Sequence, residues 1–229
     1  MKIKEIKTPR EDALELQRFK EMDYYAVENY SLPIELMMEN AGLQLANLVA
    51  NTAENSNAKI LIGVGNGNNG GGGLVAARRL SAWGYAVYLD LASEIDKALP
   101  KRQLERAIKF GAHNEKIDNP DIWVDAYLGF SQKLPLWNEL LETIARANQI
   151  KGRRVSLDIP TGFLGDTKFP YFKADKILTL AAPKKILYDL PENTEVFIGD
   201  LGIPKAVYEK FGMTTPPFEG NNILKISRT

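Results

Sequence analysis

The stretch that most constrains the fold is residues 59–73, KILIGVGNGNNGGGG, together with the helix-forming run LVAARRL that follows it. Residues 59–64 are short, apolar and rich in Ile, and glycines follow at once, which predicts a buried parallel strand that ends sharply. Residues 74–80 are mostly good helix formers, so the order is strand, glycine loop, helix. Such a loop lets the backbone approach a ligand closely, and the free N–H groups of the helix N-terminus favour anions such as phosphate.

Three glycines of this stretch match a known pattern for binding dinucleotides. Gly65, Gly67 and Gly70 fit G-x-G-x-x-G, and Asp90 lies twenty positions further on. The pattern with its acidic partner is the fingerprint of a dinucleotide site. The alternative is a flexible turn of Gly and Asn that binds no ligand. The flanking strand and helix supply the context that the motif requires and favour a binding site.

The composition is that of an ordinary globular protein. A chain of 229 residues suits one α/β domain with a substantial core. Apolar residues make up 45% and charged residues 25%, which argues against disorder. Lys plus Arg and Asp plus Glu both number 29, so the formal net charge is zero. This balance argues against nucleic acid or an anionic membrane as a partner.

The scarcity of Cys and His excludes several kinds of site. The chain has no Cys, which removes disulfides, thiol nucleophiles and thiolate metal sites. Its one His, His113, lies in a predicted surface turn, which argues against a His-rich zinc site and a Ser-His-Asp triad. The charged N-terminus lacks the apolar core of a signal peptide, and there is no run of about 18 apolar residues. We therefore expect a cytoplasmic protein.

Helices are predicted before the glycine loop, and strands alternate with helices after it. A first helix covers residues 15–30, and Ser31 is expected to cap a second helix that has Pro33 in its first turn. Strands separated by helices predict right-handed βαβ units and a mostly parallel sheet. Beyond the glycine loop, the predicted strands are 85–91, 122–128, 154–159, 176–180, 195–198 and 223–226, and the predicted helices are 99–110, 135–148 and 204–211.

The fold class is therefore α/β, a three-layer α/β/α Rossmann-like fold with a mostly parallel sheet. We expect residues 1–229 to form a single domain, with helices over 11–53 and an α/β core over 59–211. In such a sheet, ligands lie beyond the carboxyl ends of the strands, so polar residues at those ends are the candidates for function.

Three predicted strand ends carry such candidates. Asp125 lies at the inner end of an apolar strand, where a carboxylate is costly to bury unpaired, so it is either a helix cap or hydrogen-bonded structural residue or a ligand-binding one. Asp158 precedes a sharp turn, DIPTG, which would place it and Thr161 at the sheet edge facing the cleft. The alternative is that Asp158 only forms the turn ahead of Pro160. Lys184 could pair with Asp158 or bind a phosphate, or it could be a solvated surface lysine.

The glycine stretch resembles the loop of YjeF N-terminal domains, the NAD(P)H-hydrate epimerase family, which runs G-x-G-N-N-G-G-D-G before a helix of the type L-V-A-A-R-x-L. SLPIELMMENAG resembles the second helix of that family, in which Glu39 and Asn40 are either site residues or helix-surface residues. VDAYLG, DIPTG, APK and IGDLGIP resemble its later motifs. The likeness runs in order from about residue 21 to residue 211.

The resemblance implies an isomerase that interconverts the R and S forms of NADHX and NADPHX, a metabolite-repair reaction. The dinucleotide is then a small-molecule substrate rather than a cofactor, with its pyrophosphate on the glycine loop and its ring near Asp158. The implied catalytic residues are Asp158, as the proton-transfer group, and Lys184. The implied substrate-binding residues are Asn68, Asn69, Gly70, Gly71, Gly72, Gly129, Phe130, Ser131, Lys133 and Asp158. The resemblance also implies a potassium ion held by Asn69, Asp125 and Thr161, and a homodimer.

Two departures from the family pattern leave other functions open. Gly72 stands where the family has Asp, and Phe130 is bulky in a second loop where a close backbone approach is wanted. These changes would suit a catalytically degenerate nucleotide-binding or scaffold module of the same fold. A third hypothesis, an ordinary nicotinamide-dependent oxidoreductase, depends only on G-x-G-x-x-G and Asp90 and would need a second, substrate-binding region.

Overall fold

The structure, a computed structural model, describes residues 3–228 and contains one eight-stranded sheet. The strand order is β1-β8-β7-β6-β5-β4-β2-β3, and every neighbouring pair is parallel except β7 and β8. This confirms the predicted α/β fold with a mostly parallel sheet. The strands are β1 Lys4–Lys7, β2 Lys59–Val64, β3 Ala86–Leu91, β4 Ile122–Ala126, β5 Arg153–Leu157, β6 Lys176–Leu180, β7 Glu195–Gly199 and β8 Ile223–Ser227.

Helices cover both faces of the sheet because alternate side chains of each strand point to opposite sides. Ile60 and Ile62 of β2 pack into a cluster with helices on one face, whereas Leu61 joins a cluster on the other face. The first cluster contains residues of the helices Ile34–Thr52, Asn68–Ala82 and Ala98–Lys109, and the second contains residues of the helix Asn138–Ala147. The helices are α1 Leu16–Tyr30, α2 Ile34–Thr52, α3 Asn68–Ala82, α4 Ala98–Lys109, α5 Asn138–Ala147 and α6 Lys205–Lys210, with short 3₁₀ turns at Arg10–Asp12 and Lys185–Asp189.

Helix α1 lies at the carboxyl edge of the sheet. Its buried residues Phe19 and Met22 form a third apolar cluster with α6 and with Ala181 and Ala182, which directly follow β6. The ring of Phe19 also packs edge-on against Phe130 in the loop after β4, at 5.2 Å between ring centroids. The helix therefore forms a wall beside the strand ends where a ligand site is expected.

The four consecutive glycines are helical, which corrects the prediction that they form part of a loop. Helix α3 begins at Asn68, and a Cβ atom on Gly70 would lie 1.8 Å from the carbonyl oxygen of Gly65. A Cβ atom on Gly73 would lie 2.6 Å from the Cβ of Ala126 on β4. The glycines thus allow the first turns of α3 to approach the sheet closely.

Two predictions near the N-terminus were wrong. Ser31 does not cap α2: it ends α1 in a left-handed conformation with φ 49°, and Pro33 occupies the N-cap position without a side-chain cap. The sequence also gave no indication of β1, because an edge strand with the sequence KEIK has one neighbour and is mostly exposed. Among residues 3–228, no helix is both long and apolar enough to cross a bilayer.

Candidate active site

A cavity of about 520 Å³ opens at the carboxyl edge of the sheet. Its walls are the segments that follow β2, β3, β4 and β5, together with residues of α1 and α2. Strand β2 lies between β3 and β4. The chain adds β3 on one side of β2 and then returns to add β4 on the other side, so the cavity lies at the point where the strand order reverses. This is the usual ligand position in an open α/β sheet, and the volume is typical of small-molecule sites.

Asp158 is the first residue after β5 and lies at the base of this cavity. Its side chain is 2% exposed, and its φ of 69° lies in the left-handed region, which Asp tolerates better than most residues. The backbone N–H of Phe130 donates to Oδ2 at 2.8 Å, and Lys184 Nζ lies 2.9 Å from Oδ1. The carboxylate is therefore held between an amide and an ammonium group.

Lys184 is fully buried, does not line the cavity and contacts Asp158 from behind. Its Nζ donates to Thr179 Oγ1 at 2.8 Å and to the carbonyl oxygen of Leu180 at 3.1 Å. The ammonium also lies 3.7 Å from the centre of the Phe19 ring, a cation–π contact. Burial lowers the pKa of Lys184, and Asp158 opposes that effect. The position of Lys184 suits fixing Asp158 rather than contacting a ligand.

Asp23 on α1 lines the same cavity, and the sequence analysis missed it. Burial, and after it the nearby charge of Asp158, raise the pKa of Asp23 to about 6, while Lys184 acts in the opposite direction. The charged N-terminal region gave no reason to select this acid. The spacing along the helix could have identified Asp23, because it lies one turn after the buried Phe19 and next to the buried Met22.

Asp125 is fully buried below the cavity, and both oxygens of its carboxylate accept hydrogen bonds. Oδ1 accepts the hydroxyl of Thr161 at 2.6 Å, and Oδ2 accepts the hydroxyl of Ser156 at 2.9 Å and the Thr161 N–H at 2.8 Å. Burial raises the pKa of Asp125 to about 6, partly offset by these donors. No Lys, Arg or His within residues 3–228 forms an ion pair with it.

Asn69, near the start of α3, donates to backbone carbonyl groups just after β4 and at the end of β5. Its amide nitrogen donates to the carbonyl oxygens of Leu128, at 2.8 Å, and Leu157, at 3.4 Å. Gly129 separates Asn69 from Asp158, and a Cβ atom there would lie 3.3 Å from Asn69 Cβ and 3.0 Å from Asp158 Oδ2. The structure therefore brings together the ends of β2, β4 and β5, as the sequence predicted for a parallel sheet. Within the described residues, no cluster of three or more His, Cys, Asp or Glu side chains is placed to hold a metal ion.

The predicted substrate-binding residues divide into two groups. Gly70 and Gly71 are packed inside the protein, the latter against Met38, whose Cε would lie 2.5 Å from an added Cβ. Lys133 is exposed and is not part of the cavity wall, whereas the exposed Lys97, which the sequence analysis did not select, is part of it. The residues that do line the cavity are Asn68, Asn69, Gly72, Gly129, Phe130, Ser131 and Asp158.

Asp90 does not take the position of a ribose-binding acid. It is 1% exposed, accepts the hydroxyl of Tyr127 at 2.8 Å, and lies 2.6 Å from Lys116 Nζ. Burial and the charge of Asp90 raise the pKa of Tyr127 well above its usual value, so the phenol remains a donor. Asp90, the residue that favoured an ordinary oxidoreductase, is thus engaged in a structural network and does not line the cavity, although its partner Tyr127 does.

Glu39 and Asn40 bind other parts of the protein. The Glu39 carboxylate accepts hydrogen bonds from Arg78 and Arg79 of α3, and the Asn40 amide donates to the carbonyl oxygen of Leu201 at 3.1 Å. Neither residue belongs to the cavity wall. Of the two readings that the sequence left open, the structure thus favours structural roles for both.

Comparison with known proteins shows which family and which curated proteins the chain resembles. Residues 34–186 match the family described as YjeF-related protein N-terminus. A curated protein of Rhodopirellula baltica named NAD(P)H-hydrate epimerase is 35% identical over 214 residues, covering 86% of this chain and 87% of that protein. A protein of the same name from Dehalogenimonas lykanthroporepellens is 34% identical, covering 91% and 90%. The crystal structure of yeast ynu0 (YNL200c) has the same fold, with a TM-score of 0.83 at 24% identity over 93% of this chain and 99% of that one.

Proposed function

The chain belongs to the YjeF-related N-terminal family, and from that premise we propose that it is an NAD(P)H-hydrate epimerase. This isomerase interconverts the R and S forms of NADHX and NADPHX. Curated relatives of that name cover most of the chain at 34–35% identity. The observation that carries the proposal is Asp158, a carboxylate held by an N–H and an ammonium group at the base of the cavity. In this reaction the hydroxyl group of the hydrated carbon moves from one face of the ring to the other. A side chain that gives and takes protons assists that change.

The substrate chemistry follows from what a hydrate of a reduced nicotinamide is. Water that adds across a ring double bond next to nitrogen leaves its hydroxyl on the carbon bonded to that nitrogen. In the proposed route, the carbon–oxygen bond breaks and forms again on the other face, with one proton given and one taken. A positioned carboxyl group contributes about 10²–10⁴ to such a rate, and Asp158 takes this role in the proposal.

The glycine loop and the start of α3 provide the place for the pyrophosphate. The first intrahelical hydrogen bond runs from the N–H of Gly71 to the carbonyl of Gly67, which leaves earlier N–H groups of the helix available. Helix N-termini favour phosphate through these groups and through the helix dipole. Lys97, in the cavity wall beside Asn66, adds a cation on the same side. Asn68 and Ser131 are the polar residues of the wall that we assign to the rest of the substrate.

The proposal includes a potassium ion held by Asn69, Asp125 and Thr161. Amide, carboxylate and hydroxyl oxygens are ligands that hard cations prefer. Asp125 is a buried carboxylate, and its lack of an ion pair within residues 3–228 leaves a charge for a cation to balance. The Asn69 amide nitrogen faces two carbonyl oxygens, and half a turn of the amide would add its own oxygen to that group. The ion would supply charge balance and fix the loops around Asp158.

A homodimer and a cytoplasmic location complete the proposal. Exposed large apolar side chains near the junction of α1 and α2, those of Tyr24, Tyr30, Ile34 and Leu36, offer a surface that a second copy would cover. Light scattering coupled to size-exclusion chromatography tests the dimer. Fractionation of the source cells followed by immunodetection tests the location.

Incubation with separated S- and R-NADPHX tests the activity. We expect each pure epimer to approach a mixture of both, measured by chromatography, faster than in buffer alone or with heat-denatured protein. The degenerate-module hypothesis, based on Gly72 and Phe130, predicts the buffer rate together with binding of a nucleotide in calorimetry. That result would overturn the epimerase proposal.

A further inference from the structure

We propose that Asp23 on α1 is the second proton-transferring side chain of this site, acting with Asp158 on the hydrated carbon. This inference rests on the proposed epimerase function and extends it. Asp158 lies at the end of β5, whereas Asp23 comes from a helix that crosses the strand ends, so two different walls of the cavity each carry one carboxyl group. In the proposed route, the hydroxyl group leaves one face of the carbon and returns on the other, and carboxyl groups on two different walls serve one face each.

The placement of Asp23 follows from the face that α1 turns toward the sheet. Phe19, one turn earlier on the helix, touches Lys184 with its ring and packs against Phe130. Met22, next to Asp23, is fully buried. The Asp23 side chain is thus held toward the cavity by its neighbours on the helix. Within residues 3–228, the Asp23 carboxyl group accepts no hydrogen bond and forms no ion pair, so its oxygens are available to a ligand.

The charges around Asp23 set its protonation. The ammonium group of Lys184 lies directly against Asp158 at 2.9 Å, and it acts on Asp23 only through its charge, without an ion pair. Burial and the charge of Asp158 raise the pKa of Asp23 to about 6, against the opposing effect of Lys184. Those two are the charged groups that act on Asp23 from the elements packed against α1. Two adjacent carboxyl groups with different environments are the usual arrangement for one acid and one base.

The reaction step balances with these two groups. The ring nitrogen lone pair forms a C=N bond as the carbon–oxygen bond breaks, and protonated Asp23 gives its proton to the departing oxygen, which leaves as water. A water molecule then adds to the other face of the carbon, the C=N pair returns to nitrogen, and Asp158 takes the proton of the incoming water. The proton returns from Asp158 to Asp23 through solvent in the open cavity. In the opposite direction, the two residues exchange roles.

The test compares wild type with Asp23→Asn and with the control Glu28→Gln, an exposed acid on the same helix. We expect Asp23→Asn to lower kcat for S-to-R conversion by about 10²–10⁴, while KM and the Kd of NADPH change less than about threefold. Glu28→Gln should keep the wild-type kcat. An Asp23→Asn variant with wild-type kcat would overturn the inference and leave the epimerase function intact.

The pH dependence gives a second measurement that does not depend on a variant. The wild-type kcat/KM for one direction should fall as pH rises through about 6, because Asp23 of the free protein loses the proton that it donates. This fall should be absent from the residual rate of Asp23→Asn. A wild-type profile that is flat between pH 5 and 7 would overturn the role of Asp23. An inactive wild type would instead overturn the proposed function, and this inference with it.

Discussion

Asp158 and Lys184 form a buried ion pair of 2.9 Å at the end of two adjacent strands, β5 and β6. The pair is reached by ligands from one side only, because Asp158 lines the cavity and Lys184 lies behind it. Lys184 is itself fixed by Thr179, Leu180 and the Phe19 ring. The proposed acid–base group is thus held in place before a substrate arrives, which is the arrangement that catalysis by a positioned carboxylate requires.

The substitution Asp158→Asn should remove catalysis and leave binding. Asn tolerates the left-handed φ of 69° and keeps the shape of the side chain, but it transfers no proton. We expect kcat to fall by about 10²–10⁴ and the Kd of NADPH to change by only a few-fold, measured by chromatography and by fluorescence titration. Asp118→Asn, at an exposed position, is the control. An active Asp158→Asn variant would remove Asp158 from the mechanism and direct attention to Lys184.

The substitution Lys184→Met should destabilise the protein strongly. It leaves the buried Asp158 carboxylate without its ammonium partner, and breaking one side of a buried pair costs about 3–5 kcal/mol. Urea unfolding measures the loss. The double variant Lys184→Met with Asp158→Asn should be more stable than Lys184→Met alone, because no buried charge is left unpaired. If the effects of the two substitutions simply add, the pair contributes no coupling energy, and its proposed role is wrong.

Two alanine substitutions in the glycine stretch should have different effects on stability, because one glycine is tightly packed and the other is not. Gly70→Ala places a Cβ atom 1.8 Å from the backbone oxygen of Gly65, so we expect a loss of about 3 kcal/mol or more, or no folded protein. Gly67→Ala meets no atom within 4 Å and should leave the melting temperature nearly unchanged. Thermal unfolding of both variants checks this. Equal melting temperatures would show that α3 does not need glycine at position 70.

The order of strands and helices could be predicted from sequence, because apolar strands, glycine ends and helical runs alternate clearly from residue 59 onward. Asp125 and Asp158 were also recognisable as strand-end residues, since both directly end or follow a buried strand. Asp23 was not recognisable, because a helix full of charged residues offers many acids, and only the path of α1 over the sheet selects one of them. That residues 1–229 fold as one domain stays a prediction, and a single cooperative unfolding transition would support it.

The glycines show that a sequence motif can mark the position of a cavity although several of its residues are needed for packing rather than for contact with a ligand. From the sequence, all of them were predicted to belong to a loop that approaches a ligand closely. In the structure, only the segment before Asn68 is a loop, and the following glycines allow α3 to pack against β4 and α2. A pattern of residue types does not distinguish close approach to a ligand from close approach to a neighbouring element, because both require the absence of Cβ.

The substitution Gly72→Asp should raise kcat/KM if the missing family carboxylate is the only defect of this site. Position 72 lines the cavity in the second turn of α3, and a Cβ atom there would lie 3.0 Å from the Leu157 Cδ2 methyl group, which must shift slightly. We expect a change in unfolding free energy of about 1 kcal/mol or less. Gly72→Asn, with the same shape and no charge, is the control. An equal effect of both variants on kcat/KM would show that the charge is irrelevant.

Stabilisation by potassium should increase with pH, because the proton and the cation compete for Asp125. The folded-state pKa of about 6 lies above the usual value of 3.8, so without the cation the folded protein loses stability as pH rises from about 4 through 6. Potassium binds the ionised carboxylate and should offset that loss. At a concentration ten times its Kd, it should add about 1.4 kcal/mol at pH 7.5, or a few degrees in Tm, and clearly less at pH 5. Thermal unfolding in potassium chloride against tetramethylammonium chloride measures the difference, with Asp125→Asn as the variant that should abolish it. An equal Tm in both salts at pH 7.5 would contradict a potassium site at Asn69, Asp125 and Thr161.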